Sequence, residues 1–300
     1  MATLYTQAES NIRKTWLFIA LFSIFIIAIG WLFSYLLENQ IFLIIAFVFA
    51  IFQSFFSYWY SDKIVLAITR AQPIEKKDNP ELYRIVENLS ITAGLPTPKI
   101  YILNEAQPNA FATGRDKNHA VLAVTRGLLE KLERPELEGV LSHELAHIGN
   151  KDMLLQTVVV ILVGIVAMVS NWFLRISFWS GGRRRDSREE SRGILALFGI
   201  ISAIIAPIAA TLIQLAISRK REFLSDATGA LLTRYPEGLA RALEKISADQ
   251  NPLKTANNST AHLYIANPFR GKEAQNWLTK LFSTHPPVEE RIAALRGMRI

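Results

Sequence analysis

His143-Glu144-Leu145-Ala146-His147 reads H-E-x-x-H, and no other stretch of the chain is as informative. On an α-helix, residues four apart lie on the same face, so both imidazoles can reach one metal ion. The glutamate beside the first histidine is then placed to act as a general base on a metal-bound water. The stretch therefore predicts a metal site on a helix. The alternative is two surface histidines on an ordinary helix.

The residues around this stretch predict the helix that carries it. Pro135 suits the first helical turn, and Glu136 suits the positive N-terminal end of a helix. Gly149 and Asn150 are suited to end the helix. Apolar residues between these signals recur at helical spacing and predict a flank that faces a core. They are Leu137, Val140, Leu141, Leu145 and Ile148.

Half of the 300 residues are hydrophobic, and they are concentrated in four stretches. Each approaches or exceeds the ~20 residues that a membrane-spanning helix needs. With charges clustered at their ends, four such stretches favour membrane spans over the buried core helices of a soluble protein. The stretches are Trp16–Leu37, Ile41–Tyr60, Met153–Trp179 and Ile194–Ile217.

Charge and cysteine content exclude several classes of site. The net charge is +7, but Lys and Arg lie beside the apolar stretches, which is typical of membrane topology. The sequence contains no nucleic-acid-binding motif, so we expect no nucleic-acid partner. The chain has no cysteine, which excludes disulfides and thiolate ligands. A metal ion must therefore be bound by histidine and carboxylate groups.

The basic residues also predict an orientation. Arg13 and Lys14 precede the first apolar stretch, and only residues 38–40 separate it from the second. The positive-inside rule then places the N-terminus and the chain after Tyr60 in the cytoplasm. The five arginines within residues 180–192 count against both later stretches spanning the membrane, so their topology stays open.

The pattern divides the chain into four parts. Residues 1–60 are a membrane hairpin, and residues 153–217 are a second hydrophobic hairpin. Residues 61–152 and 218–300 are the two halves of one globular domain. The predicted fold is mainly α with a small β-sheet, in an integral membrane protein with about four transmembrane helices.

A third metal ligand is expected on a second secondary-structure element. A catalytic zinc takes three protein ligands and keeps one position open. Glu222 and Asp226 are four residues apart and share one helix face. One of these carboxylates can bind the metal while the other accepts an N–H from a ligating histidine. The alternative is a solvated pair on an amphipathic helix.

The order of these motifs resembles the HtpX family of integral membrane zinc metalloproteases over essentially the whole chain. The resemblance implies a gluzincin-like zinc peptidase domain with one zinc ion per chain. It implies that His143, His147 and Glu222 bind the zinc. Glu144 would be the catalytic base, and Asp226 would support the site. The motifs are the apolar N-terminal hairpin, Ser142–His147, the apolar pair that follows, Arg219–Ala227 and Thr284–Pro287; the family often has Ala at the position of Ser225.

Two further positions resemble family features. Asn109, Ala110 and Phe111 match the edge strand that pairs with an extended substrate backbone, although Asn109 also suits a Pro-Asn turn. His285 matches a His-Pro motif and would donate to the oxyanion of the tetrahedral intermediate. Its alternative role is to precede the prolines that start a helix at Val288.

The resemblance implies an endopeptidase of the inner (cytoplasmic) membrane whose peptidase domain faces the cytoplasm. Its partners would be the lipid bilayer and protein substrates, chiefly misfolded or damaged membrane proteins. Two alternatives stay open. One is a processing peptidase with a narrow substrate. The other is a membrane holdase with a structural zinc, which normally has four protein ligands.

Overall fold

A computed structural model describes residues 4–36, 38–180, 219–257, 259–269 and 286–298. The predicted apolar stretch Ile194–Ile217, nearly all of the arginine-rich segment and His285 lie outside these residues. The described part contains ten α-helices and four β-strands. The helices are α1 (Leu4–Leu36), α2 (Ile41–Trp59), α3 (Ser61–Thr69), α4 (Pro80–Ala93), α5 (Arg126–Lys131), α6 (Arg134–Gly149), α7 (Asp152–Ser180), α8 (Arg219–Thr233), α9 (Pro236–Ala248) and α10 (Val288–Arg296). The strands are β1 (Gln72–Pro73), β2 (Lys99–Leu103), β3 (Ala110–Thr113) and β4 (Val121–Thr125).

Helices α1 and α2 form an apolar hairpin. Residues Glu9–Tyr35 and Ile41–Trp59 are each long and apolar enough to cross a membrane. Helix α6 and the first part of α7, to Val166, pass the same test only as a pair bent by 85°. The described residues thus contain two candidate spans, or three if the bent pair is one. The predicted apolar hairpin is thus present as two membrane-capable helices, whereas the predicted four spans are not established.

The first half of α7 is buried inside the protein. Its apolar side chains pack against α1, where Phe18 and Phe22 are also buried. The α7 side chains at this contact are fully buried, namely Leu155, Val158, Val159 and Leu162. Helix α7 therefore joins the N-terminal hairpin to the domain that contains α6.

The four strands form one mixed sheet in the order β1-β2-β4-β3. Strand β2 runs parallel to β4, and β3 runs antiparallel to β4 at the edge of the sheet. Alternate residues face opposite sides of a sheet, and both sides are covered here. Ile100 and Leu122 face the core with α4 and α6, while Phe111 and Ala123 face α3 and α7. The prediction of a mainly helical fold with a small sheet is confirmed.

One difference concerns the start of β4. The sequence pattern predicts a strand over His119–Val124, but Lys117–His119 form a 3₁₀ turn and β4 begins at Val121. The side chain of Asp116 accepts hydrogen bonds from the backbone N–H groups of Asn118 and His119. This local cap competes with strand pairing and holds the turn.

Glycine permits the close contact between α6 and α8. A Cβ atom added to Gly229 would lie 2.9 Å from the backbone nitrogen of His143 and 3.0 Å from Ser142 Oγ. Only a residue without a side chain lets the two backbones approach this far. Because Gly229 lies two helical turns after Glu222, this contact also sets how close Glu222 comes to α6.

We expect Gly229→Ala to lower the free energy of unfolding by about 1–3 kcal/mol, because the methyl group meets backbone atoms that cannot move aside. Gly149→Ala is the matched control, since its Cβ would meet only Leu95 Cδ1, at 3.9 Å. We expect that variant to be unchanged or stabilised by less than ~1 kcal/mol. Chemical unfolding of the detergent-solubilised protein measures both, and equal effects would contradict the close contact.

Candidate metal centre

Helix α6 presents its polar residues to the interior of the protein. A capping box starts the helix, because the Glu133 and Glu136 side chains each accept from the other's backbone N–H. The apolar flank predicted from the sequence is present, but the opposite flank is buried as well. His143, Glu144 and His147 are 1%, 2% and 5% exposed. Such polar groups need partners inside the protein.

The two histidines and Glu222 converge on one point. The Nε2 atoms of His143 and His147 lie 3.1 Å apart. Carboxylate oxygens of Glu222 lie 3.9 Å from Nε2 of His143 and 3.6 Å from Nε2 of His147. The structure thus brings together the three ligands that were predicted from the motifs.

This geometry fits a tetrahedral metal ion. At a zinc ion with Zn–N distances of about 2.0–2.1 Å, two nitrogen ligands lie about 3.3 Å apart. The observed separation of 3.1 Å is close to this value. Two imidazoles and one carboxylate also match the donor set of a catalytic zinc site, which keeps a fourth position open.

The charges around the two histidines also favour a bound metal ion. Burial lowers the pKa of both imidazoles, and the pKa of His143 stays below its ordinary value. For His147, a hydrogen bond with Asp152 and the charge of Glu222 outweigh burial and raise the pKa to about 9. The carboxylates of Asp152 and Glu222 thus favour a positive charge at the histidine pair, which a bound metal ion can provide.

Asp226 lies beside the Nδ1 atom of His143, and Arg291 in turn binds Asp226. The Nδ1 atom of His143 lies 2.8 Å from Asp226 Oδ1, although its N–H is poorly aligned with that oxygen. The buried guanidinium of Arg291 donates two hydrogen bonds to Asp226, at 2.7 and 2.8 Å. Burial raises the pKa of Asp226, but Arg291 outweighs it and lowers the pKa to about 2. Asp226 is thereby kept charged beside the imidazole, at the position where a supporting carboxylate would act.

His147 is supported by residues from three other segments. Its Nδ1 lies 3.2 Å from Asp152 Oδ2 and 3.2 Å from the Ser225 hydroxyl. Asn11, on α1, donates to Asp152 Oδ1 at 2.5 Å and to the carbonyl of Asn150. Arg221 donates to the Asn11 side-chain oxygen at 3.0 Å. This network connects the first helix of the chain to a metal ligand.

Glu144 has the protonation properties of a general base. Burial raises its pKa to about 7, and the charge of Glu222 adds to the effect. The backbone N–H of Ala112, on β3, donates to the Glu144 carboxylate, and this hydrogen bond lowers the pKa of Glu144. A base with a pKa near neutrality can both take and return a proton. The same hydrogen bond holds Glu144 against the edge strand.

The edge strand is partly occupied by the chain itself. The Ile265 N–H donates to the Ala110 carbonyl at 3.1 Å, and the Asn109 side chain donates to the Ala266 carbonyl at 3.1 Å. The side chain of Phe111 is fully buried and makes an edge-on ring contact with Tyr264. The three residues predicted to bind substrate therefore contact residues 264–266 in this structure.

Sequence reasoning missed several residues of the site. Asp152 precedes an apolar stretch and so suits the N-terminal cap of a helix, but its position five residues after His147 was a signal that it could belong to the site. Arg291 carried no local signal beyond its place on α10, near the Thr284–Pro287 motif. Asn11 lies before the first apolar stretch and gave no indication of a contact with Asp152.

Comparisons with known proteins agree with this geometry. The sequence model of peptidase family M48 matches residues 76–299. The chain is 47% identical to the "Protease HtpX homolog" of Caldanaerobacter subterraneus, with 99% of each chain covered. It is 48% identical to the protein of that name from Pyrococcus furiosus, with 94% of each covered. A crystal structure of S. mikatae Ste24p is similar at 19% identity and a TM-score of 0.49, over 94% of this chain and 66% of that one.

The family match covers most of the chain, and the HtpX relatives align over nearly its full length. Together with the buried histidine pair and the apolar hairpin, these matches identify a membrane-bound metalloprotease. The chain belongs to peptidase family M48 and, within it, to the HtpX proteases.

Proposed function

We propose that this protein is a zinc-dependent endopeptidase that hydrolyses peptide bonds of misfolded or damaged membrane proteins. His143, His147 and Glu222 would hold one zinc ion per chain, and Glu144 would be the catalytic base. The observation that carries the proposal is the convergence of three buried ligand groups, within 4.8 Å of one another, beside a glutamate whose pKa is about 7.

Bound zinc would supply Lewis acidity towards the scissile carbonyl and acidify a water molecule. Glu144 takes a proton from the attacking water on its carboxylate and passes it to the leaving nitrogen. Its hydrogen bond from the Ala112 N–H fixes the carboxylate during both transfers. Asp226 and Asp152 hold the two imidazoles by their Nδ1 atoms, so that both Nε2 atoms keep facing the metal.

The substrate backbone would pair with the outer edge of β3. In an antiparallel ladder, alternate residues direct their N–H and C=O groups outward. On β3 these residues are Ala110 and Ala112, since Asn109 pairs with Thr125 of β4. Within the described residues the Ala110 carbonyl is bonded to Ile265. Ala112 follows on the same edge, so we propose its carbonyl as the acceptor for the substrate backbone, and Asn109, Ala110 and Phe111 would shape the strand on which the substrate lies.

His285 is proposed as a donor to the oxyanion of the tetrahedral intermediate. The support comes from its neighbours along the chain. Six residues later, on α10, Arg291 bonds to Asp226 and lies 3.8 Å from Glu222. The segment that contains His285 therefore leads directly to a helix that contacts the site.

The proposed location is the inner (cytoplasmic) membrane, with the peptidase domain facing the cytoplasm. The basic pair Arg13-Lys14 supports this orientation under the positive-inside rule. We also propose four spans and a peptidase domain composed of residues 61–152 and 218–300. Support for this division comes from α6 and α8, which lie on opposite sides of the hydrophobic residues 153–217 in sequence and pack together through Gly229.

Glu144→Gln should reduce the rate of proteolysis by about a factor of 10² to 10⁴, because the amide cannot accept the proton from water. It should keep its zinc, since Glu144 is not a ligand. Cleavage of unfolded casein and zinc content per chain measure the two effects. Glu138→Gln is the control, because Glu138 lies on the same helix and pairs with Arg134 away from the site.

Undiminished cleavage by Glu144→Gln would contradict the proposed mechanism. Zinc that binds without any chelator-sensitive cleavage would indicate a holdase with a structural metal. The same variant can also trap substrates in membranes. A trap that captures one defined protein would indicate a narrow processing peptidase, whereas many membrane proteins would support quality control.

Asp152→Ala should weaken zinc binding about 10- to 100-fold, because His147 loses the carboxylate that orients its ring. Ser225→Ala is the matched control, since it removes the other group near the same Nδ1 atom but leaves the carboxylate in place. We expect it to bind zinc nearly as tightly as the wild type. Competition with a chromophoric chelator measures both affinities, and equal losses would show that Asp152 has no special role.

A further inference from the structure

A cavity of about 400 Å³ lies where the membrane helices meet the sheet. Helix α2, the start of α3, the start of β2 and the loop after β3 contribute to its walls. Its lining residues are aromatic or charged: Phe55, Trp59, Tyr60, Asp62, Lys63, Lys99, Arg115 and His119. It is separate from the metal centre, whose ligands are on α6 and α8.

The depth of this cavity relative to a bilayer is marked by aromatic residues. Trp16 stacks on Tyr58 with ring centroids 5.1 Å apart, and Trp59 and Tyr60 follow at the end of α2. At the opposite end of α1, Trp31 stacks on Tyr35. Trp and Tyr gather at the two levels where lipid headgroups meet the hydrocarbon. The cavity therefore opens at headgroup level.

The charge of the cavity is positive. Lys63, Lys99 and Arg115 line it, against the single carboxylate of Asp62. Among the described residues, Lys63 and Lys99 have no carboxylate within 4.0 Å. The ring of Tyr60 lies 5.1 Å from Lys63 Nζ, and the ring of Trp59 lies 4.7 Å from the Arg115 guanidinium. These cation–π contacts hold two of the cations in place at the edge of the cavity.

The loop that contains Arg115 is fixed by its own hydrogen bonds. Asp116 accepts from Arg115 Nε at 3.3 Å and lies 2.8 Å from His119 Nδ1. Arg115 Nη2 lies 2.7 Å from His119 Nε2. Asp116 and the ring of Trp59 thus hold the Arg115 guanidinium in place at the cavity. Lys63 and Lys99 line the same cavity as exposed side chains.

An apolar surface continues from the cavity into the membrane. Phe55 lines the cavity and is 51% exposed, and Phe52 is 57% exposed on the same helix. Acyl chains attached to a headgroup in the cavity would lie along this face of α2. A soluble anion would make no use of it.

We propose that this cavity binds an anionic phospholipid, with its phosphate between Lys63, Lys99 and Arg115 and its acyl chains against α2. The bound lipid would join the membrane hairpin to the loop that follows the edge strand β3. It would thereby fix the height of the peptidase domain above the bilayer. The proposal concerns only this cavity and does not depend on the chemistry of the metal centre.

The test uses the full-length protein in detergent, with native mass spectrometry and a fluorescent phosphatidylglycerol. We expect phosphatidylglycerol to bind and phosphatidylcholine to bind much less. Lys63→Gln combined with Lys99→Gln should weaken phosphatidylglycerol binding by about tenfold or more, because each cation near the headgroups attracts it. The charge-conserving pair Lys63→Arg and Lys99→Arg should retain binding.

The matched control is Lys117→Gln combined with Arg126→Gln, which removes two exposed charges that do not line the cavity. It should bind phosphatidylglycerol like the wild type. Equal loss in both double variants would overturn the proposal, because it would indicate only a general attraction to positive charge. Binding of free glycerophosphoglycerol as tightly as the lipid would also overturn it, since the acyl chains would then contribute nothing.

Discussion

Two imidazole nitrogens held 3.1 Å apart in the interior of the protein impose the main constraint on this structure. With carboxylates at both Nδ1 atoms, the two Nε2 lone pairs face each other and need a cation between them. Arg291 pairs with Asp226 and keeps the pKa of that carboxyl low, while Asn11 donates to Asp152. The residues of α6 around the histidine pair are buried, and this packing holds the two imidazoles in place.

The parts of the site that were predictable from sequence depend on local helical geometry. His143 and His147 share a helix face, as do Glu222 and Asp226, and the spacing of four residues is visible in the sequence. The resemblance to a known family then linked the two helices. Helix α4 and strand β2 were likewise predictable, since their apolar periodicity and their bounding Asn79, Gly94 and Lys99 signals are short-range.

The remaining contacts arise from packing between distant segments, which periodicity does not encode. Asn11 is 141 residues from Asp152, and Arg291 is 65 residues from Asp226. Residues 264–266 lie against β3 through one backbone hydrogen bond, from Ile265 to Ala110, and through contacts of the Asn109 and Phe111 side chains, and these contacts leave no periodic pattern in the sequence. The burial of the polar flank of α6 was also not visible in the sequence, because charged residues of a helix usually face solvent.

The network around Asp152 and Asp226 joins residues that are far apart in the sequence, Asn11 and Arg291. A ribosome adds about 5–20 residues per second, so Arg291 emerges on the order of ten seconds after His147. During that interval the nascent chain already carries both histidines but has no guanidinium to hold Asp226. The contacts around the two histidines can therefore be completed only after residue 291 has been synthesised, so folding of the nascent chain cannot finish them earlier.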